Sequence, residues 1–502
     1  MRLQSSSIDF LPAWADLNDV KFNGIAVSSM PDDRGTCIIA TAELSTPDEV
    51  LMTVPQGLVL SLENVWIYAK SDRHLREVLE AVGEYSRVAS PSAPPRPMVV
   101  RIEADLQQTA RGAILVFLLL QLTHVNHTNR IGRSNPFTHY IQFLPSDPFL
   151  PTFWNSAQRA RLKGTSLDAA LNAKLKSLER EFDMLREATT PIDWCRQHWW
   201  DPEAGWLRLE HWKYVDAMYR SRALDLLGTD AMVPCIDMAN HASGRDTLAR
   251  YDLDADGNAI LVLLEGRACR PGEEISITYG DAKGACEMLF SYGFIEHTMC
   301  SARELYLDLD IPSDDPLKLA KQAIAHCAPG FRLFTAGEAV GWEGPWVWLV
   351  CVNEEDGLEF RLLRTHDEGR ELRLLWQDVE IDSVSQLEPL LRTQPLWEVF
   401  QLRAITLLQA RVKVQLMSLQ NHPSHPPDAG ISDHEIEAGG RDLAITRLRD
   451  LEGTLMLQAY DDFESQVFRI SRPLQDPGPL ISSWPEIEAA RIRSRTALFR
   501  IC

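Results

Sequence analysis

Nine cysteines occur in 502 residues, and no two of them stand at CxxC or CxC spacing. That excludes the common zinc clusters and redox dithiols, so no metal is expected. Thiols scattered at 37, 195, 235, 269, 286, 300, 327, 351 and 502 suit a reduced cytosolic or nuclear interior. Long apolar runs are missing too. The most apolar stretch, 113–122, has Arg111 and Gln121 at its edges. It is far shorter than a membrane span and reads as a buried helix. The opening MRLQSSSIDFLPAW lacks a signal-peptide core. Positive charge is in deficit, with 50 Lys and Arg against 71 Asp and Glu and a formal charge of -21. A chain that grips phosphate backbones needs the opposite balance, so nucleic acid is not an expected partner. A basic protein partner suits the balance, as does plain solubility. No basic cluster of the nuclear-import kind is present. The glycine-rich strand-turn-helix fingerprint of a dinucleotide-type fold is also absent.

What remains is an ordinary globular composition, 45% hydrophobic and 24% charged, over a length that calls for two or three domains. The first hundred residues read as short strands and turns. Residues 36–41 form a β-branched run after the turn at 33–35, 50–55 form a second run stopped by Pro55, and 58–60 a third. The proline-rich 90–97 reads as an exposed loop. From about 101 to 227 the pattern is helical. Within it, Leu167, Leu171, Leu175, Leu178, Phe182 and Leu185 recur at three- and four-residue steps, with Ser166 as the N-cap. Residues 231–300 return to strands and glycine-rich turns. The last two hundred are helical again, notably 396–419 and 441–468, which should pack antiparallel, with a proline-bearing loop at 421–433 between them. Two β-rich stretches separated by a helical insertion can make one catalytic unit, followed by a helical module.

The densest chemical signal lies between 219 and 296. Ser221-Arg222-Ala223-Leu224 comes first, on or just after a helix. Next is an apolar, strand-like approach, 232–239, that contains Asp237 and ends in Asn240-His241. Pro271-Gly272-Glu273-Glu274 then turns into the alternating strand Ile275-Ser276-Ile277-Thr278-Tyr279-Gly280. Glu287-Met288-Leu289-Phe290-Ser291-Tyr292-Gly293-Phe294 closes the series. Taken singly, each has a bland reading: a helix cap, a strand aromatic, a core ring, a surface arginine.

Taken in order, these segments resemble the SET domain, in the branch similar to the RuBisCO large-subunit methyltransferases. That family's pattern runs SRxF/L, PxxDxxNH, GEE/Q with a YG-type strand end, then an E-L-L-x-Y-G-F segment. The Arg34-Gly35-Thr36 turn followed by Pro55, and 140–145 with 151–154, also resemble it. The resemblance covers roughly residues 20–300 and, more loosely, the helical tail. It implies an α+β fold: a SET unit of short strands with a threaded C-terminal segment, a pseudoknot that departs from the usual absence of threading. The unit would span 1–300, with a helical insertion at about 101–210 and core motifs at 219–296. A separate all-α domain at 312–502 would bind substrate.

The implied activity is S-adenosylmethionine-dependent methylation of a lysine nitrogen on a protein substrate. Histidine methylation and a catalytically silent binding module are the alternatives. Arg222 would bind the cofactor carboxylate, Asn240 its amino group and the His241 main chain its adenine, with Ser221, Arg34, Gly35 and Thr36 lining the same pocket. Tyr279 would supply the essential hydroxyl. Tyr292 and Phe294 would form the acceptor channel, with Asp237 beside the acceptor. The reaction is an in-line displacement that needs positioning and no metal. The protein is expected to be a monomer. The sequence departs from the family in two places: Cys37 stands where a second glycine is usual, and Gly284-Ala285-Cys286 where Ser-Asn-Ala is common. Both favour the silent reading, and neither touches Arg222, Asn240, His241 or Tyr279.

Overall fold

The computed structural model describes residues 7–30, 35–88, 109–126, 131–337, 339–364, 370–422 and 435–475. Arg34, the 90–97 loop and most of the 421–433 loop lie outside them.

The N-terminal β-branched runs form short strands, β1 (Lys21–Phe22), β2 (Ile25–Ser29), β3 (Thr36–Ala40) and β4 (Val50–Val54). β2 and β3 pair antiparallel with Val27 opposite Ile38. The expected third run at 58–60 is not a strand. Pro55 starts a 3-10 turn over Gln56–Leu58, and Leu60 makes only a single bridge, to Met232.

Helix begins earlier than residue 101, with α1 (Leu62–Ser71) and α2 (Arg73–Val88). Ser61 caps the first by accepting from the Asn64 amide. α3 (Ala110–Val125) is the apolar stretch singled out in the sequence, and every residue from Gly112 to Thr123 is buried. It runs through the middle of the core, so it has no polar face. α4 (Ser166–Thr189) matches the leucine periodicity, but its N-cap is Thr165. Ser166 instead gives its main-chain N–H and its hydroxyl to Glu452.

α5 (Leu209–Arg222) ends on the arginine of interest and passes directly into the hairpin β5 (Ala223–Leu226) and β6 (Thr229–Met232). Leu227 and Gly228 turn that hairpin, both with positive φ, 55° and 82°. This is the geometry that matches the twist of the flanking strands. β7 (Ala249–Leu253) and β8 (Ala259–Leu263) complete an antiparallel sheet in the order β1-β4-β8-β7.

The segment 275–280 was expected to be an alternating strand. It is extended but held by single bridges, and Ile275, Ser276 and Ile277 are buried in succession. The reason is cover on the face that carries Ser276, whose hydroxyl donates to the Asp246 carbonyl at 2.8 Å. Ile277 bonds with Asn240 and Ala242 on one side, while the Ser276 carbonyl accepts from Leu248 and Ala249 on the other. The 240–249 loop thus bonds to both edges of the segment and covers its Ser276 face. α6 (Ala285–Tyr292) follows and is stopped by Gly293 in the left-handed conformation, φ 87°.

The C-terminal half corrects the all-α expectation. It holds two three-stranded antiparallel sheets: β9 (Glu304–Asp308), β10 (Gly330–Ala336) and β11 (Ala339–Glu343), then β12 (Leu358–Arg364), β13 (Arg370–Trp376) and β14 (Val379–Ile381). Period-2 burial drives the first of them, since Leu305 and Leu307 point inward and Tyr306 outward. The helices anticipated at the end are present as α7 (Trp397–Asn421) and α8 (Glu435–Gln475), packed on each other. Arg449 of α8 donates to the carbonyls of Leu419 and His422.

Buried apolar side chains form two clusters. One runs from Leu11 to Ile277, the other from Trp154 to Phe463. The second draws on Leu162, Leu167, Leu171 and Leu175 as well as on the C-terminal half, so the two cores interlock rather than divide at residue 300. The motif residues fall on the seam: Tyr279 packs against the first core, Tyr292 and Phe294 against the second.

Candidate active site

A cavity of about 200 Å³ lies on that seam, walled by Arg222, Asp237, Tyr279, Lys283 and Tyr292 among others. Arg222 reaches it from the last turn of α5. Its Nη1 donates to the Asp237 carbonyl at 3.0 Å and stands 3.5 Å from the Asp237 carboxylate. Asp237 sits in the 3-10 turn Ile236–Met238, entered through Cys235 at φ 71°, a conformation that costs a non-glycine residue. Tyr140 holds this turn by accepting from the Cys235 amide at 3.1 Å and donating to the Asp237 carboxylate. Burial pushes the Asp237 carboxyl above its ordinary range, with Arg222 and Tyr140 opposing the shift. Burial is the largest influence on Arg222 and works against its charge, but Asp237, Tyr140, Tyr279 and Tyr214 together hold the guanidinium above its usual value.

Tyr279 is held at both ends by the segment 239–241. Its hydroxyl donates to the Ala239 carbonyl at 2.8 Å, and its main-chain N–H donates to His241 Nδ1 at 2.9 Å. Burial raises its ionisation well above the usual phenol range, against the pull of Arg222. It therefore stays a neutral phenol at any working pH. The Tyr292 ring lies 4.6 Å from that of Tyr279, and the Lys283 ammonium 5.8 Å from the Tyr292 ring centre. Lys283 is paired with Glu287 one helical turn on.

The other residues named from sequence are arranged as follows. Ser221 lines the cavity, but its hydroxyl donates to the Ala217 carbonyl within α5. Asn240 donates to the Thr36 carbonyl at 3.2 Å and to Glu274 at 2.7 Å, which joins the N-terminal hairpin to the segment that follows Asp237, beside the cavity rather than on its wall. Its amide oxygen takes no part in these bonds. Gly35 has φ 97° and open space where a Cβ would stand. Phe294 lies behind the wall rather than on it, 6.0 Å from the His241 ring and 6.4 Å from that of Tyr279. Cys37, the departure near Thr36, is buried, with its sulfur toward the Ser28 carbonyl at 3.7 Å.

Sequence reasoning missed Lys283, Tyr140 and Glu296. The Lys283–Glu287 spacing of four was legible as a helical-type pair. Nothing local announces Tyr140 or Glu296, which meet the motif only through the fold.

The donor set fits an amino-acid headgroup. A buried guanidinium on the cavity wall can receive a carboxylate, and the Asp237 Oδ2 atom, buried without a hydrogen-bond partner, offers an acceptor to an ammonium. Among the described residues no group of three metal-binding side chains occurs, and no helix is long and apolar enough to cross a membrane.

Residues 222–311 match the family described as cytochrome c lysine N-methyltransferase 1. SET domain-containing protein 8 of Schizosaccharomyces pombe is 27% identical over 283 residues, 55% of this chain and 62% of that protein. The chloroplastic ribulose-1,5 bisphosphate carboxylase/oxygenase large subunit N-methyltransferase of Pisum sativum is 25% identical over 205 residues, 37% of this chain and 38% of that protein. The chain thus spans less than two thirds of each of these relatives. Among solved structures, the SET domain of LSMT bound to lysine and AdoHcy aligns with a TM-score of 0.61 at 16% identity, over 97% of this chain and 98% of that one. Rubisco LSMT bound to AdoMet aligns at 0.59 and 17%, over 97% and 100%. The fold is therefore the α+β SET fold of LSMT across the whole chain, with a largely helical C-terminal end.

Proposed function

We propose that this chain, a distant relative of the SET-domain protein-lysine methyltransferases with their fold across its length, moves a methyl group from S-adenosylmethionine to a lysine nitrogen of another protein. The observation that carries this reading is the pairing of a buried cation, Arg222, with a buried neutral phenol, Tyr279, on the walls of one cavity.

The cofactor, when bound, supplies an electrophilic methyl on a sulfonium. The protein's own groups do the rest. Arg222 holds the carboxylate end and Asn240 the amino group. The main chain of His241, with Gly35 and Thr36, would hold the remainder, and Ser221 lines the cavity beside Arg222. Tyr279 orients rather than titrates. Its proton is directed to Ala239, so its oxygen is left as an acceptor toward an incoming amine. A lysine arrives charged, with an ordinary pKa of about 10.4, and must lose a proton before it attacks. Aromatic walls from Tyr279 and Tyr292, and the nearby cations Arg222 and Lys283, disfavour the ammonium and favour the free amine. Phe294 backs this wall, and Asp237 sets its polar floor. Residues 1–300 would be the catalytic unit and 312–502 the substrate-binding one, in a reducing cytosolic or nuclear setting.

Calorimetry with S-adenosylmethionine and its demethylated product tests the pocket, and labelled-methyl transfer in cell extract tests the reaction. Hydrolysis of the labelled protein should release methyl-lysine. Release of methyl-histidine would redirect the reading to the other nitrogen. A folded protein that binds neither compound would overturn it.

A further inference from the structure

His241 is buried, with its side chain 1% exposed, and sits between Tyr279 and Glu296. The Tyr279 main-chain N–H donates to its Nδ1 at 2.9 Å, so Nδ1 must present a lone pair and the ring proton belongs on Nε2. Nε2 lies 3.3 Å from Glu296 Oε1 and 3.2 Å from Ser243 Oγ. The Ser243 hydroxyl gives its own proton to Glu296, so both neighbours of Nε2 are acceptors. The opposite tautomer would set N–H against N–H at Tyr279 and a lone pair against a carboxylate at Glu296. The Tyr279 N–H and Glu296 thus select the same tautomer from opposite sides of the ring, Glu296 by holding the proton on Nε2.

The carboxylate is itself anchored. Arg303 donates to Glu296 at 3.1 Å and, with the same Nη1, to the Lys283 carbonyl at 3.1 Å. Burial alone would raise the Glu296 carboxyl, but bonds from Ser243 and His241 and the charge of Arg303 keep it below its ordinary range and ionised. The imidazole also stacks on the Tyr279 ring, 5.2 Å between centres and 28° between planes.

We propose that Glu296 is a positioning residue, which locks His241 in the Nε2–H form so that its Nδ1 pins the main chain at Tyr279. This rests on the reading of Tyr279 as the group that orients the acceptor. With the lock, the tyrosine is tied at its hydroxyl by Ala239 and at its backbone by His241. Without it, the backbone tie is made only by the fraction of His241 that keeps its proton on Nε2.

The test compares Glu296→Ala and Glu296→Gln with the parent by long-range proton–nitrogen NMR of His241 and by steady-state kinetics. The parent should show the Nε2–H form, and Glu296→Ala a mixture. In Glu296→Ala, kcat should fall on the order of tenfold, about the worth of one hydrogen bond, while KM and cofactor affinity hold. Glu296→Gln keeps an acceptor oxygen toward Nε2–H and should recover most of both signals. An unchanged tautomer in Glu296→Ala, or a Gln variant as impaired as the Ala one, overturns the proposal. The NMR comparison needs no cofactor. A protein inactive toward every substrate but with the predicted tautomer shift would sink the methyltransferase reading and leave the lock standing.

Discussion

Tyr279 packs against one hydrophobic core and Tyr292 against the other, and their rings meet at 4.6 Å with 34° between planes. The cavity therefore sits where two interlocking cores meet, a common location for ligand sites. Changes in either core should be felt as a shift of one tyrosine against the other.

Removing the Tyr279 hydroxyl isolates its role. Tyr279→Phe keeps the ring packing and loses one neutral hydrogen bond to Ala239, about 1 kcal/mol of stability. Thermal unfolding should therefore change by a few degrees at most, and calorimetric affinity for the cofactor should hold. The transfer rate should drop by about tenfold or more. A variant that turns over like the parent would remove Tyr279 from the mechanism.

Arg222 and Asp237 should behave as a unit. Replacing Arg222 alone by Met leaves a buried carboxylate without its cation, a loss of roughly 3–5 kcal/mol. The double variant Arg222→Met with Asp237→Asn should regain much of that stability, yet still bind S-adenosylmethionine poorly. Chemical denaturation and calorimetry on both proteins check the two halves. Normal cofactor affinity in the double variant would dissociate Arg222 from the pocket.

Glu452 gives a pH dependence. It is buried, bonded to Ser166, and burial lifts its carboxyl from an ordinary 4.5 to about 7. The folded state thus holds a proton that the unfolded chain releases, and the stability this contributes is full below pH 4.5. It is lost as pH rises to about 7. Glu452→Gln mimics the protonated form, so it should raise the melting temperature at pH 8 and leave it unchanged near pH 4. Calorimetric scans of the two proteins between pH 4 and 8 measure the difference. Curves that run parallel across that range would discount it.

Asp216 is the hub of a buried charge cluster. Its carboxylate lies 2.7 Å from Arg111, 2.9 Å from Lys174 and 3.7 Å from Arg220. Burial alone would raise its carboxyl, but these cations hold it down at about 2. Asp216→Asn leaves Arg111 its second partner, Glu181, but turns Lys174 and Arg220 toward a neutral amide, and should destabilise by about 3–5 kcal/mol. Arg220 also donates to the Phe290 carbonyl at 2.8 Å, two residues before Tyr292. At a temperature where the variant stays folded, substrate KM should therefore rise before cofactor affinity does. An unaltered denaturation midpoint would show the cluster to be incidental.

The sequence by itself determined what depends on near neighbours. Leucines at helical steps specified Ser166–Thr189, β-branched runs specified Thr36–Ala40 and Val50–Val54, and four motifs in order marked Arg222, Asp237, Asn240, His241 and Tyr279. Tertiary structure decided everything that joins distant segments. Leu358–Arg364 carries the leucines and arginines of a helix former, yet pairs as a strand because Arg370–Trp376 lies beside it. The segment 275–277 lost its alternation because the loop 240–249 also covers the face that carries Ser276. Phe294 moved behind the cavity wall, and Glu296 came to face His241 from 55 positions away. Periodicity is a local property of the chain, whereas the partner of a buried charge or an imidazole nitrogen is set by which surfaces pack together, and only the folded protein brings those surfaces into contact.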